Sequence, residues 1–128
     1  MAGTKILRLG DLQLQIMKVL WERGEGTVTD VHSAVGSERN LAYTTVATML
    51  RKMEARGLVK HRVEGRSFFY RAAVAAEAVS TGMADHLLDR VFEGSLADMV
   101  HHLLSTRDVS REELSALEKL IAERKRAR

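Results

Sequence analysis

The sequence predicts a mainly α-helical protein that carries one small β-hairpin. None of the 128 residues is proline, so no predicted helix is interrupted by that residue. Aromatic residues are few (Trp 1, Tyr 2, Phe 3), which disfavours a β-sandwich. Apolar residues recur at helical spacing along most of the chain, whereas the stretch 58–71 is rich in β-branched and aromatic residues.

Composition limits the class of protein further. Hydrophobic residues make up 45% of the chain and charged residues 29%, which is typical of one folded domain, or of a small domain with an assembly element. Cysteine is absent, which excludes disulfide scaffolds, thiolate metal sites and cysteine nucleophiles. Residues 1–10 lack the apolar run of a signal peptide, and no window of about 18 apolar residues is present. We therefore expect a cytoplasmic protein without membrane insertion.

Three short helices are predicted before the hairpin. The second is expected to be capped by Thr29 and to end at Gly36, and the third to run from about residue 42 to residue 56. The first is predicted from a helical stripe of apolar residues, namely Leu9, Leu12, Ile16, Val19 and Leu20.

The hairpin and three further helices complete the element order. The segments 58–63 and 66–71 flank Glu64 and Gly65, which predicts two strands joined by a two-residue turn with glycine in its second position. The pattern is helical again in the segments 72–92, 95–104 and 110–128. Three helices followed by a hairpin are the order of a winged helix-turn-helix fold, in which the third helix enters the DNA major groove.

The third helix has two distinct faces at about 100° per residue. One face is apolar and holds Val46, Met49, Leu50 and Met53. The opposite face is polar and holds Thr44, Thr45, Thr48, Arg51 and Lys52. Threonine is a poor choice inside an exposed helix, but its hydroxyl can bind base edges and phosphates, as guanidinium groups do. We therefore predict that this face contacts DNA; a merely polar, solvated face is the alternative.

Positive charge is concentrated in the first part of the chain. Residues 1–71 hold 12 Lys and Arg against 7 Asp and Glu, whereas residues 72–128 hold 8 against 10. The excess is greatest between Arg39 and Arg71, and such a stretch attracts polyanions, so Arg39 is predicted to contact DNA. A solvated cationic surface is the alternative.

The hairpin is predicted to act as a wing. Its basic residues Lys60, Arg62 and Arg66 are expected to contact phosphates, and Phe68 and Tyr70 to pack against the helices. Tyr43 is compatible with either a phosphate contact or a place in the core.

The last three helices each carry a broad apolar stripe. Three short helices form a marginal core in a monomer, so we expect a homodimer in which a second copy covers these stripes. A monomer whose C-terminal helices fold onto the winged helix is the alternative. The predicted dimerisation residues are Leu87, Leu88, Val91, Phe92, Leu96, Met99, Val100, Leu103, Leu114, Leu117, Leu120 and Ile121. The sequence thus predicts a winged helix-turn-helix DNA-binding domain at 1–71 and a helical dimerisation region at 72–128.

The chain resembles the penicillinase repressor (BlaI/MecI) family from about Leu9 to Ile121. The resemblance rests on short motifs at matching spacings, namely Leu9–Leu12, Leu20–Trp21, Thr27–Val31, Leu41–Val46, Gly57–Val59 and Phe92–Leu96. It implies a cytosolic dimeric repressor on a palindromic DNA operator, controlling genes for β-lactamase or another cell-wall or antibiotic response. It also implies DNA contacts by Tyr43, Thr44, Thr45, Thr48 and Arg51.

The signal that would release such a repressor from DNA is less clearly indicated. In the family, a pathway from a membrane-bound sensor protease cuts the dimerisation region. Where staphylococcal members carry the Asn-Phe dipeptide that is cut, this chain has His102 and Leu103. Copper-responsive relatives carry a C-terminal cysteine cluster, which this chain lacks. His86, His101 and His102 offer a metal site as a minor alternative.

We expect neither an enzyme nor a bound cofactor, because the chain has no glycine-rich phosphate loop, no cysteine and no grouping that resembles a catalytic triad. A winged helix that binds a protein instead of DNA is the main alternative. Salt dependence separates the two, because phosphate contacts release counterions and apolar contacts do not.

Overall fold

The computed structural model describes residues 9–127, apart from the side chains at positions 37 and 38. Along these residues the chain forms α1 (Asp11–Arg23), α2 (Val28–Arg39), α3 (Tyr43–Ala55), β1 (Val59–Glu64), β2 (Ser67–Ala72), α4 (Ala76–Val91), α5 (Leu96–Thr106) and α6 (Arg111–Arg126). The predicted mainly α fold with a β-hairpin wing is confirmed. Most of the segment predicted to lack a signal peptide, residues 1–8, lies outside the described range. The chain divides into two compact units, one ending at His86 and the other beginning at Leu87.

The core of the first unit joins α1, α2 and α3 to the hairpin. Val46, Leu50 and Met53 of α3 are fully buried in it. Each such side chain contributes about 1.5–3 kcal/mol when it leaves water. The rotation of α3 about its own axis is therefore fixed, since turning the helix would expose all three. The remaining members are Ile16, Met17, Leu20, Val31, Val35, Leu58, Val59 and Tyr70.

Both ends of α2 differ from the prediction. The helix begins at Val28 and its N-cap is Thr27, whose Oγ1 accepts a hydrogen bond from Asp30 N at 3.1 Å. Asp30 Oδ2 accepts a hydrogen bond from Thr27 N in return, at 3.0 Å. This reciprocal capping box favours Thr27 over the predicted Thr29. At its other end α2 passes the predicted stop at Gly36 and continues to Arg39.

The hairpin turn is displaced by one residue from its predicted place. Glu64 pairs with Ser67, so the two-residue turn consists of Gly65 and Arg66. Gly65 has a positive φ of 63°, and Arg66 does not. A positive φ at the first turn position alone is typical of a type II′ turn, which requires glycine first and not second.

Two contacts attach the hairpin and α4 to the helices. Gly26 forms an antiparallel bridge to Tyr70 of β2, with N to O distances of 2.9 and 2.8 Å. The indole Nε1 of Trp21 in α1 donates a hydrogen bond to the carbonyl of Val74, just before α4, at 2.9 Å. The wing is therefore fixed on both sides to the helices that precede it.

In the second unit, α5 and α6 each begin at a capping serine. Ser95 Oγ accepts a hydrogen bond from Asp98 N, and Ser110 Oγ accepts one from Glu113 N, both at 3.1 Å. Neither helix contains a buried residue. The apolar stripes of α5 and α6 are thus formed as predicted but are left uncovered within this unit.

Candidate nucleic-acid interface

The polar face of α3 lies on the protein surface. Its five residues, which we call the α3 strip, are all exposed: Thr44, Thr45, Thr48, Arg51 and Lys52. A shallow depression of about 290 Å³ runs along the strip and is partly lined by Met49. Arg51 Nη2 donates a hydrogen bond to Thr48 Oγ1 at 3.2 Å, which orients the guanidinium along the strip. The strip thus presents hydroxyls and two cations next to one another on the exposed face of α3.

A groove of about 360 Å³ separates α3 from the wing. Arg51 lines it from α3 and Arg66 lines it from the hairpin turn, so the fold brings together two cations that are 15 positions apart in the sequence. Tyr43 also lines the groove and is 50% exposed, which excludes the core position considered for it. The other lining residues are Thr27, Val28, Thr29, Ala47, Ser67, Phe68 and Tyr70.

The two faces of the wing have different environments. His61 and Tyr70 are cross-strand partners on the face towards α3, and His61 Nδ1 lies 2.8 Å from both carboxylate oxygens of Glu54. Tyr70 is 2% exposed and packs in the core, as predicted, and this burial raises the pKa of its hydroxyl. Phe68 is 45% exposed and stacks on the His61 ring at 4.2 Å, so its predicted place against the helices is wrong in part.

The opposite face of the wing carries Lys60 and Arg62. Lys60 is exposed, but the guanidinium of Arg62 is held by the carboxylates of Glu25 and Glu64 and lies 4.5 Å from the centre of the Phe69 ring. These carboxylates raise the pKa of Arg62, and the hydrogen bond from Arg62 lowers the pKa of Glu25. The structure therefore gives Arg62 carboxylate partners within the chain, whereas Arg51 and Arg66 line an open groove.

Arg39 is exposed at the last position of α2. It is followed by Asn40, whose left-handed backbone (φ 55°) turns the chain towards α3. Arg39 thus lies at the corner of the helix-turn-helix, on the element that precedes the α3 strip.

Sequence reasoning missed several residues that line the groove. Thr27 and Thr29 enter it because the first turn of α2 lies beside the wing, and Ser67 enters it because the turn is shifted by one residue. The pattern Thr27-x-x-Asp30 signalled this helix start, since a hydroxyl followed three positions later by an acid is a capping box.

The predicted dimerisation residues lie in the second unit, and none of them is buried in the chain alone. Leu96 and Leu120 are more than 60% exposed. Two depressions of about 340 and 510 Å³ lie between α5 and α6, and both are lined mainly by leucine and valine side chains. Val100, Leu104 and Leu117 line both, so the two depressions form one continuous apolar surface.

His102 and Leu103, the candidate cleavage position, are both exposed in α5. His102 packs beside Phe92, with ring centres 5.7 Å apart, and its carbonyl accepts a hydrogen bond from Thr106 Oγ1. Proteases bind extended peptides, so cutting here requires local unwinding of α5.

The described part of the chain offers neither a metal-binding cluster nor a membrane-spanning helix. Residues 9–127 contain no group of three or more His, Asp or Glu side chains arranged to hold a metal ion. Over the same residues no helix has both the length and the apolar character needed to cross a membrane.

The helices, wing and exposed strip of the first unit define a winged helix-turn-helix protein of the kind that reads DNA with its third helix. A family model described as "Penicillinase repressor" matches residues 9–123. The chain belongs to the penicillinase repressor family. This confirms the resemblance seen in the sequence, and because the family consists of transcriptional repressors, it confirms that the chain is not an enzyme.

Individual relatives agree with this assignment. "Transcriptional regulator BlaI" of Mycobacterium tuberculosis is 35% identical over 122 residues, which are 94% of this chain and 87% of that protein. "Penicillinase repressor" of Bacillus licheniformis is 27% identical over 121 residues, or 94% of each chain. The solution structure of Bacillus licheniformis BlaI in complex with the blaP half-operator is 26% identical, with a TM-score of 0.50, over 57% of this chain and 89% of that one.

Proposed function

We propose that this chain is a cytoplasmic DNA-binding transcriptional repressor that acts as a homodimer on a palindromic operator. The observation that carries the proposal is the α3 strip, which is exposed along its whole length while Val46, Leu50 and Met53 on the opposite face of α3 are fully buried. A helix oriented in this way can enter a major groove without exposing its apolar side. The solved complex of a relative with a half-operator supports DNA binding by this fold.

Within this proposal the residues take different roles. Thr44, Thr45 and Thr48 contact base edges and phosphates, and Arg51 and Lys52 contact phosphate or guanine. Arg66 and Tyr43 bind the DNA backbone from the groove between α3 and the wing. Arg39 at the end of α2 and Lys60 on the opposite face of the wing add further phosphate contacts. Arg62 is assigned to holding the wing in position, because its donors already have carboxylate partners.

The homodimer is proposed from the uncovered apolar surface of α5 and α6. A contiguous apolar surface that the chain itself leaves exposed marks an interaction site, and a second copy covers it symmetrically. A two-fold dimer places two α3 helices on half-sites about 34–36 Å apart, one turn of the duplex. Because the two α3 helices are linked, the dimer binds the whole operator more tightly and more specifically than one subunit binds a half-site.

The regulated genes are proposed from the relatives. Because one relative is named a penicillinase repressor, we propose that this chain controls β-lactamase or other cell-wall or antibiotic-response genes. A reporter fused to DNA bound upstream of its own gene should rise in expression when the repressor is deleted. A reporter that stays silent in the deletion strain would contradict this assignment.

Release by a sensor protease completes the proposal. A cut between His102 and Leu103 would detach the end of α5 and all of α6, and with them every residue that lines the two depressions except Val100. Stopping the chain after His102 should therefore give a monomer that binds operator more weakly than the full chain. A truncated chain that remains dimeric in sedimentation would contradict this mechanism.

The proposal is tested by removing the strip. Replacing Thr44, Thr48 and Arg51 by Ala together should weaken operator binding by about 100-fold or more, since single contacts contribute about 1–3 kcal/mol each. The probe is a duplex footprinted upstream of the chain's own gene. The matched control replaces Ser80, Thr81 and Arg90, which are exposed on α4, and removes the same number of hydroxyls and charges. Equal affinity of the two triple variants would exclude the α3 strip as the contact surface.

Salt dependence separates this function from a protein-binding winged helix. Phosphate contacts give a linear fall of log affinity with log salt, with a slope of about 0.9 for each phosphate neutralised. The Arg51→Ala variant should therefore show a shallower slope than the wild type. A flat salt profile for the wild-type chain would favour a protein partner held by apolar contacts.

A further inference from the structure

The imidazole of His32 forms an unusual contact across the turn between α2 and α3. Its Nε2 lies 2.7 Å from the carbonyl oxygen of Leu41, nine residues later. A carbonyl only accepts, so Nε2 carries the hydrogen and donates it. Leu41 is two residues before the first residue of α3, so a side chain of α2 holds the chain just before α3 begins.

The N-terminus of α3 has no capping side chain of its own. Its N-cap position is occupied by Ala42, which makes no side-chain cap. A Ser, Thr, Asp or Asn at the N-cap usually stabilises a helix by about 1 kcal/mol and fixes the direction in which the chain enters it. Here the hydrogen bond from His32 fixes the direction instead.

Gly36 provides the space for this arrangement. A Cβ atom built on Gly36 would lie 2.5 Å from Cδ2 and 2.8 Å from Nε2 of His32, closer than real contacts allow. Gly36 also holds the turn after α2, because its carbonyl oxygen accepts hydrogen bonds from Asn40 N and Leu41 N. Glycine inside a helix costs about 1 kcal/mol of stability relative to alanine. The packing of the His32 ring against Gly36 offsets this cost in α2.

The same ring contacts the first residue of α3. The rings of His32 and Tyr43 meet edge to face, with centres 6.1 Å apart and an angle of 69° between their planes. Tyr43 lines the groove between α3 and the wing and is half exposed. His32 therefore contacts the helix start twice, once through the backbone of Leu41 and once through the ring of Tyr43.

We infer that His32 is a positioning residue for DNA recognition: it sets where α3 begins and how Tyr43 and the α3 strip are presented to the operator. This inference rests on the proposed function. His32 contacts no DNA itself in this role, and its effect passes through Leu41 and Tyr43. It should therefore influence operator affinity more than affinity for random-sequence DNA, because general phosphate attraction tolerates a small shift of α3 and base contact does not.

Two amide variants test the inference. In His32→Gln the amide nitrogen reaches about as far from the backbone as Nε2 does, whereas in His32→Asn it is one methylene too short. We expect His32→Asn to lose about fivefold to tenfold in affinity for the footprinted duplex, the effect of one hydrogen bond, while binding a random duplex of equal length as the wild type does. His32→Gln should recover most of the operator affinity.

A second variant keeps the test valid if His32→Asn proves less stable. Gly36→Ala adds a better helix former but displaces the ring, so it should reproduce the loss of operator affinity, and combining it with His32→Asn should add little. Wild-type operator affinity in His32→Asn and Gly36→Ala, or equal losses for the Gln and Asn variants, would overturn the inference and leave the proposed function standing. A wild-type chain without operator preference would overturn the proposed function, and this inference with it.

Discussion

Both carboxylate oxygens of Glu25 accept hydrogen bonds from the guanidinium of Arg62, with distances of 2.7 Å to Nε and 2.9 Å to Nη2. Glu25 lies in the loop between α1 and α2, and Arg62 lies on β1, 37 residues later. This two-point pair fixes planar groups in one relative orientation, as bidentate arginine–carboxylate pairs do. It links the wing to the helices on the face that points away from α3.

This pair gives a prediction for acid stability. Arg62 lowers the pKa of Glu25 from its ordinary value of 4.5, so the unfolded chain binds the proton more readily than the folded one. The stabilisation is therefore complete above about pH 4.5 and is lost as the pH falls through the lowered pKa. Glu25→Gln should be less stable than the wild type in urea unfolding at pH 7, and the difference should shrink below pH 4.5. A difference that stays constant down to pH 3 would exclude the pair as its source.

The start of α2 gives a second prediction. Thr27→Ala removes the acceptor for Asp30 N and should lower the free energy of unfolding by about 1 kcal/mol, as N-cap losses do. Thr29→Ala is the matched control, because Thr29 is exposed and lies inside the first turn. Thermal unfolding of the two variants distinguishes them. A larger loss for Thr29→Ala would place the cap at the position first expected from the sequence.

The apolar surface between α5 and α6 gives a third prediction. Replacing Leu117 and Ile121 by Asp should convert the proposed dimer to monomers, because two buried charges without partners cost several kcal/mol. Ala116→Asp with Ala122→Asp is the control, since both residues are exposed on α6 and neither lines the two depressions. Sedimentation should show monomers for the first pair and dimers for the second. Dimers in both cases would place the interface elsewhere.

Trp21 gives a fourth prediction. Trp21→Phe keeps an aromatic ring but leaves the carbonyl of Val74 without its 2.9 Å donor, which should cost about 1 kcal/mol of stability. Because the bond precedes α4, hydrogen exchange of the Val79 amide, which donates to the carbonyl of Ala75 at the start of α4, should accelerate more than exchange in α3. Uniform acceleration in both helices would indicate a general loss of stability and not the loss of this attachment.

Much of the fold follows from local pattern, and the orientation of α3 is the clearest case. Val46, Leu50 and Met53 recur on one helical face, and the structure buries all three while it exposes the α3 strip. Periodicity suffices here because an amphipathic helix has only one way to place its apolar stripe against a core.

Element boundaries were harder to predict, because different residues can supply the same local signal. Thr27 and Thr29 both have hydroxyls that can cap α2, and the reciprocal bond of Asp30 decides between them. Gly65 supplies a positive φ at either position of a two-residue turn, so the sequence does not distinguish the two turn types. The sequence pattern predicts Gly36 as a helix stop, whereas in the structure the missing side chain of Gly36 leaves room for the ring of His32.

The least predictable parts of the candidate site depend on distant partners. No local pattern indicates that Arg62 pairs with Glu25, or that Arg51 and Arg66 face one groove. Such pairings are set by how the hairpin packs against α1 and α2. Because of them, basic residues that look alike in the sequence differ in the structure: some are paired with carboxylates and others are accessible to a ligand.

The uncovered leucine-rich surface of the second unit has a consequence for gene dosage. If the promoter is bound only by two copies joined through that surface, promoter occupancy at low abundance varies with the square of the monomer concentration. At low protein concentration, halving synthesis of the chain would then lower promoter occupancy about fourfold. A cell can therefore pass from repression to expression over a narrow range of protein level.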